Sequence, residues 1–344
     1  MSGVLLVDWL GRGGIAQATA CWAAELQRAG RTVQVVTRGG RELSDLVGGV
    51  VGAGDGERHV AAHRAVVREA VEVIRSQRPA VVVVQNYVLP SLERPVYGAA
   101  AAVGARLVVV VHDHRLHTLL AGNRVGLRGN LRRADVVAAH SAFVARSLRG
   151  VSPHPVHVLP LSLHDVLFTP HPAPRRPGPG ADRSAIHFGI LRRRYKGTGL
   201  VAQLAGDGVP GWRFTLVGAG APARLPGAVT VSRFTEAGEL LQLVGNADAA
   251  VLPYSMATQS GAVALAQALG TVPVASAVGG IPEQIVDGET GRLVPAGAGP
   301  DAWRAVLEDL ATDPARLQEM AGRARAHARA AHDRFRTEVV ALTA

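Results

Sequence analysis

The chain has 344 residues, a length that favours two domains at ~150 residues each, and its 48% hydrophobic and 19% charged residues exclude a disordered class. The longest apolar run, residues 96–111, is broken by Arg106 and falls short of the ~20 residues that cross a bilayer; the start shows no basic leader pattern, and the single cysteine, Cys21, excludes an internal disulfide and a thiolate zinc cage, so a cytoplasmic chain is expected. With 37 basic against 27 acidic residues the net charge is +10, which favours anionic partners, whereas aromatic residues at 4%, not interleaved with basic ones, leave nucleic acid out.

From the N-terminus, short β-branched runs at 4–7, 33–37, 81–84, 107–111 and 136–137 read as buried parallel strands. Between them, over 16–29 and 59–76, apolar residues recur at three-to-four spacing, the pattern of helices that cover a sheet. Residues 169–183, TPHPAPRRPGPGADR, are too rich in Pro and Gly for a helix or a central strand and predict an interdomain linker. The alternation then resumes, with strands expected at 186–190, 214–217, 229–231, 249–252 and 272–275, and turns helical after Asp301. The expected architecture is α/β, two Rossmann-like doubly wound domains facing across a cleft. One spans residues 1–168 and the other 184–325, with a last helix at 326–344 packing back on the first domain.

Ligands of open parallel sheets sit beyond the carboxyl ends of the strands, so the chemistry is sought in the loops that follow them. The first such loop, Gly11-Arg12-Gly13-Gly14-Ile15-Ala16, satisfies the G-x-G-x-x-A dinucleotide pattern. Trp9 and Leu10 separate it from the strand, and Arg38 stands where a ribose-binding acid would be, which leaves an NADP reading as a minor alternative. The loop opening the second half reads FGILRRRYKG and places Arg192, Arg193, Arg194 and Lys196 directly after a strand. Lys196 is the only lysine in the chain. An ammonium is a point charge and a guanidinium a planar fork, and a diphosphate can use both. Further on come FTLVGAG (214–220), NADAAVLPY (246–254), TQSG (258–261), VGGIPE (278–283) and DGETGRLV (287–294). In TQSG, helix-start amides with the hydroxyls of Thr258 and Ser260 form a candidate anion cradle.

In this order, Gly13–Thr37, VVVVHDH at 108–114, ADVVAAHS at 134–141, FGILRRRYKG, LVGAG and PVASAVGGIPEQIVDGETGRLV resemble the retaining glycosyltransferases of family 4 (glycosyl transferase group 1), which have the GT-B fold. The resemblance covers nearly the whole chain. It implies a nucleotide-diphosphate sugar as donor substrate, no cofactor and no obligatory metal, in keeping with the lack of any D-x-D pair. It places the diphosphate by Gly13, Gly14 and Arg192 or Arg194 with Lys196, the donor sugar by Gln259, Ser260 and Gly261, and the nucleotide by Gly218, Arg233, Phe234 and Val263. His112, Asp113 and His114 fall on the acceptor side, and His112, Arg192 and Lys196 are the expected catalytic residues. One departure stands out: the family's E-x7-E motif is missing, since 249–282 holds no carboxylate; Thr258, Gln259 and Ser260 occupy its first region, Ala266 and Gln267 its second, and Glu283 is the next acid.

The expected function is transfer of a sugar to an acceptor hydroxyl on a glycan, a lipid-linked molecule or a small molecule. The missing glutamates keep open a catalytically silent scaffold that binds a nucleotide or a partner, and a nucleotide-sugar epimerase is a third reading. Residues 106–150 carry eight arginines against Asp113 and Asp135, with Leu116, Leu119, Leu120, Leu127 and Leu131 among them. Such a face predicts peripheral contact with anionic lipid at the inner side of a membrane.

Overall fold

The computed structural model describes residues 3–39, 41–55, 59–85, 87–113, 122–162 and 182–344. The chain divides into two units, Met1–His164 with His332–Ala344 and Asp165–Ala331. Of the expected linker, residues 169–181 lie outside the described part, as do His114, Leu116, Leu119 and Leu120; Arg183 belongs to the first strand of the second unit, not to a linker.

The first unit contains β1 (Val4–Asp8), α1 (Gly13–Arg28), β2 (Val33–Arg38), α2 (Arg41–Ser44), β3 (Val50–Ala53), α3 (His59–Gln77), β4 (Val81–Gln85), α4 (Pro90–Val103), β5 (Arg106–Val111), α5 (Gly122–Leu131), β6 (Val136–Ala139), α6 (Ala142–Ser147) and β7 (Val156–Val158). Its strands form one sheet in the order β3-β2-β1-β4-β5-β6-β7. The pairs are parallel, with Val4 opposite both Val33 and Val81. Alternate side chains of each strand enter opposite cores, as the two-residue pleat requires. Leu5 and Val7 pack with Val66, Ile74, Val96 and Leu131 from α3, α4 and α5. Val4 and Leu6 pack with Ala20, Trp22 and Leu26 of α1 and with Phe335, Val339 and Leu342 from the chain's last residues.

The second unit contains β8 (Arg183–Phe188), α7 (Thr198–Asp207), β9 (Trp212–Val217), β10 (Ala228–Val231), α8 (Ala237–Gly245), β11 (Ala249–Leu252), α9 (Gly261–Leu269), β12 (Val272–Ser276), β13 (Arg292–Val294) and α10 (Pro300–Thr312). Its sheet has the order β10-β9-β8-β11-β12-β13, again with parallel neighbours. The final helix, α11 (Pro314–Leu342), serves both cores: Leu317 and Met320 enter that of the second unit, Phe335 and Val339 that of the first. Ser162 hydrogen-bonds His332 Nδ1 at 2.6 Å, and Arg336 Nε lies 3.2 Å from the buried carboxylate of Glu25.

Several boundaries differ from the sequence expectation. Helix α1 begins at Gly13, three residues early, and β8 ends at Phe188 because Gly189 turns the chain with φ +116°. Strands β3, β7 and β13 were not expected; each has only three or four residues, and β3 and β7 are incompletely buried.

Candidate functional site

In the second unit, β8, β9 and β11 lie side by side and their following loops meet backbone to backbone. Glycine makes this contact feasible. A β-carbon on Gly218 would lie 1.8 Å from the Gly189 carbonyl oxygen, and one on Gly197 would lie 2.1 Å from that of Pro253. Both residues have positive φ, where L side chains are disfavoured. The Arg192 amide donates to Ala219 O at 3.2 Å and the Ser255 amide to Tyr195 O at 2.9 Å. The basic loop is thereby held to its two neighbours before any side chain contributes.

Within this frame the residues Arg194–Lys196 form one 3-10 turn, which points Arg192, Arg193 and Arg194 into solvent and folds Lys196 back. The Lys196 ammonium lies 3.6 Å from where a Gly189 β-carbon would be, so glycine there leaves room for it. It donates to the Tyr254 hydroxyl at 2.6 Å and sits 4.0 Å from the Tyr254 ring centre and 5.6 Å from that of Tyr195. Tyrosine faces attract cations through the ring quadrupole. No carboxylate pairs with Lys196 among the described residues, and burial draws its pKa down to about 8. Beneath it His187, buried, donates from Nδ1 to Val251 O at 2.8 Å and faces the Thr198 hydroxyl at 3.2 Å from Nε2. Burial holds His187 near pKa 4, and the backbone bond only partly offsets it.

The next loop ends at Ser260, the N-cap of α9, whose hydroxyl accepts from the Val263 amide at 3.2 Å. Gln284 brackets the cap: its Oε1 accepts from Ser260 N at 2.7 Å and its Nε2 donates to Ser260 O at 3.1 Å. Gln267 donates to Gln284 O at 2.8 Å, which makes it a brace of this loop. Gln259 Oε1 is buried with no hydrogen-bond partner among the described residues. Gly261 opens α9 with free space over its α-carbon.

Of the residues expected on the donor side, Lys196, Gly218, Gln259, Ser260 and Gly261 belong to these loops, and Arg192 and Arg194 line them with exposed side chains. The other residues expected on the nucleotide side are placed as follows. The side chain of Val263 is fully buried in the core under α9, because its helical phase faces the sheet, and so cannot touch a ribose. Arg233 is bound by Glu239 through contacts of 2.8 and 2.6 Å on the surface, with Phe234 beside it 73% exposed. The sequence reading gave no role to Tyr254, Tyr195 or His187, although NADAAVLPY and RRRYKG contain both tyrosines.

In the first unit, the loop after β1 is built on the buried carboxylate of Asp8, whose Oδ1 accepts from the amides of Leu10 and Gly11 at 2.8 and 3.1 Å and whose Oδ2 accepts from Thr19 at 3.1 Å. Gly11 is required by contact, since its β-carbon would fall 2.1 Å from Arg38 O. Gly13 and Gly14 open α1 with none of the described residues within 4 Å of their β-carbon positions. Arg38 is engaged by His59 at 3.0 Å. Just after β5, His112 Nε2 donates to Gln85 Oε1 at 2.9 Å, and its ring lies tilted against that of His140, with centres 4.7 Å apart. Burial and the neighbouring His140 hold His112 well below the usual imidazole range, so the ring is neutral. Tyr87 donates to Asp113 O at 2.6 Å. The basic face is also corrected: Leu127 and Leu131 are core residues, and the exposed residues are Val125 and Arg128 of α5 and Arg132 just after it.

Two family models match this chain, one described as glycosyl transferase 4-like domain over residues 13–162 and one as glycosyl transferases group 1 over residues 183–313. A D-inositol 3-phosphate glycosyltransferase of Paenarthrobacter aurescens (strain TC1) is 36% identical over 185 residues. That match takes in 54% of this chain and 42% of the relative, so it spans less than half of the relative's length. Among solved structures, HepE of Anabaena in complex with UDP-glucose superposes with TM-score 0.74 at 17% identity, covering 100% of this chain and 97% of that one. Sucrose-phosphate synthase from Thermosynechococcus elongatus superposes with TM-score 0.76 at 18% identity, covering 99% and 98%. With two Rossmann-like units and both family models in chain order, the protein belongs to the group 1 glycosyl transferases of the GT-B fold.

Proposed function

We propose that the chain is a retaining, metal-independent hexosyltransferase that moves a sugar from a nucleotide-diphosphate donor to an acceptor hydroxyl. The observation that carries this reading is an ammonium, that of Lys196, half-buried and left without a carboxylate among the described residues. Such a charge is costly unless an anion completes it. Lys196 and the guanidinium of Arg192 or Arg194 hold the diphosphate, with Gly13 and Gly14 by the phosphate and acceptor, and Ser260, Gly261 and Gln259 hold the donor sugar. In the transfer, the bond from the anomeric carbon to the phosphate oxygen breaks as the acceptor oxygen bonds to that carbon on the same face. The acceptor proton passes to the departing phosphate oxygen, and fixed cations stabilise the charge that develops there. His112, neutral and oriented by Gln85, hydrogen-bonds the sugar or the acceptor. Asp113, with His114 beyond the described residues, belongs to the same side. Exposed Arg128 on α5 and Arg132 just after it support a peripheral contact with anionic lipid on the cytoplasmic face. The HepE complex with UDP-glucose supports a nucleotide-sugar donor.

Lys196→Ala tests the reading: with the fold intact by circular dichroism, turnover falls by about a hundredfold or more, and undiminished transfer overturns it. The absence of any carboxylate from residues 249–282 favours a second reading, a silent scaffold that binds nucleotide. Calorimetry with UDP-, GDP- and dTDP-sugars, followed by product analysis, separates the two: binding with no transfer or hydrolysis supports the scaffold.

A further inference from the structure

We infer that Tyr254 is the positioning residue of the anion-binding lysine, a neutral tether standing where an ion pair would ordinarily hold such a side chain. The inference rests on the diphosphate reading for its purpose, but the tether itself is defined in the unliganded protein.

Three observations converge on it. The Lys196 ammonium donates to the Tyr254 hydroxyl at 2.6 Å and lies against the rings of Tyr254 and Tyr195, which meet edge to face with centres 6.1 Å apart. Tyr254 is 3% exposed, so its phenol proton needs a partner inside the protein, and the phenol is hydrogen-bonded to Ser260. The phenol oxygen receives the ammonium proton, and the Ser260 side chain is its second partner. That same hydroxyl accepts from the Val263 amide at the start of α9. A single chain of hydrogen bonds therefore links Lys196 through Tyr254 to the helix cap.

The choice of tyrosine has a consequence that a carboxylate would not have. A carboxylate at this distance would fix the lysine by neutralising it, and an incoming anion would then have to displace that partner. A phenol, whose burial raises its pKa further, stays uncharged and holds the ammonium in place while leaving its full charge to the ligand. The tether also makes the lysine and the α9 cap one unit, so that a group seated at the helix start and an anion on Lys196 are positioned together.

This chain offers an unusually direct test, because Lys196 is its only lysine. Protein grown with ε-13C-lysine gives one side-chain signal, whose titration is followed by NMR in wild type, Tyr254→Phe and Ser260→Ala, with thermal melting confirming that each variant is folded. In the unliganded protein Tyr254→Phe, which keeps the ring and removes the oxygen, lowers the lysine midpoint, and Ser260→Ala shifts it by a smaller amount. UDP, added as the probe, then binds about tenfold or more weakly to Tyr254→Phe, the loss expected for a hydrogen bond to a charged group. A midpoint that is unchanged or raised in Tyr254→Phe overturns the tether. Lys196→Ala serves as the separate arm: if it binds UDP as wild type does, the diphosphate reading falls, whereas the unliganded lysine signal still decides whether Tyr254 holds the ammonium.

Discussion

The α-carbon of Gly218 rests on the carbonyl of Gly189, so closely that a β-carbon would lie 1.8 Å from the oxygen. These two glycines lock the ends of β8 and β9 together and set the height of the basic loop above the sheet. Gly218→Ala adds both a backbone clash and a side chain at φ +131°. A loss of about 3 kcal/mol in urea unfolding is expected from overpacking and unfavourable backbone together. Gly206→Ala, in α7 with open space around it, is the control and gains about 0.5–1 kcal/mol.

A desolvated ammonium loses its proton early, and that of Lys196 is drawn down to about 8. Affinity for UDP is therefore flat below pH 8 and falls about tenfold per pH unit above it. Stability moves the other way: the unfolded chain keeps this proton up to 10.5, so the folded state gains stability as pH rises from about 8 to 10.5. Calorimetry between pH 6.5 and 9.5 checks the first part, and Lys196→Arg, which stays charged, flattens the profile of whatever binding it retains. A wild-type profile that does not bend near pH 8 contradicts the prediction.

Acid acts on different groups. Burial holds His140 and His187 at about 4, below the 6.5 of the unfolded chain. Between those values the unfolded state binds protons that the folded state does not, so stability is lost as pH falls from 6.5 toward 4, by on the order of 3 kcal/mol per histidine. Urea midpoints measured from pH 7.5 to 4.5 should show this slope, and it should shrink in His187→Gln.

The last residues of α11 are fastened to the first unit by Ser162, His332 and Glu25 as well as by Phe335, Val339 and Leu342. Ser162→Ala removes the partner of a buried imidazole and should cost about 1–3 kcal/mol. Hydrogen exchange should speed up over residues 332–342 relative to 314–325, whose apolar residues pack in the other core. Uniform protection along α11 in the variant would show that the apolar residues alone fasten it.

Much of the architecture was legible because parallel strands buried on both faces are written as unbroken valine runs, as at 81–84 and 107–111. The strands that escaped, β3, β7 and β13, have three or four residues, too few for a period to register. Lys196 stood out in the sequence because it is unique and follows a strand. Tyr254 was not, because an aromatic residue beside a proline reads equally well as core, and its partner lies 58 residues away in sequence. The burial of Val263 was illegible for a related reason: it follows the turn that opens α9, and the helical phase sends this side chain into the sheet.

Composition and local pattern alone decided that two sheets form and which loops carry glycine and positive charge, since these depend on backbone sterics and apolar periodicity within a few residues. Which of four neighbouring cations leaves solvent, and what holds it there, was decided by tertiary structure. The parallel pairing of β8 with β11 sets the loops carrying Lys196 and Tyr254 side by side, and no property of either segment by itself encodes that register.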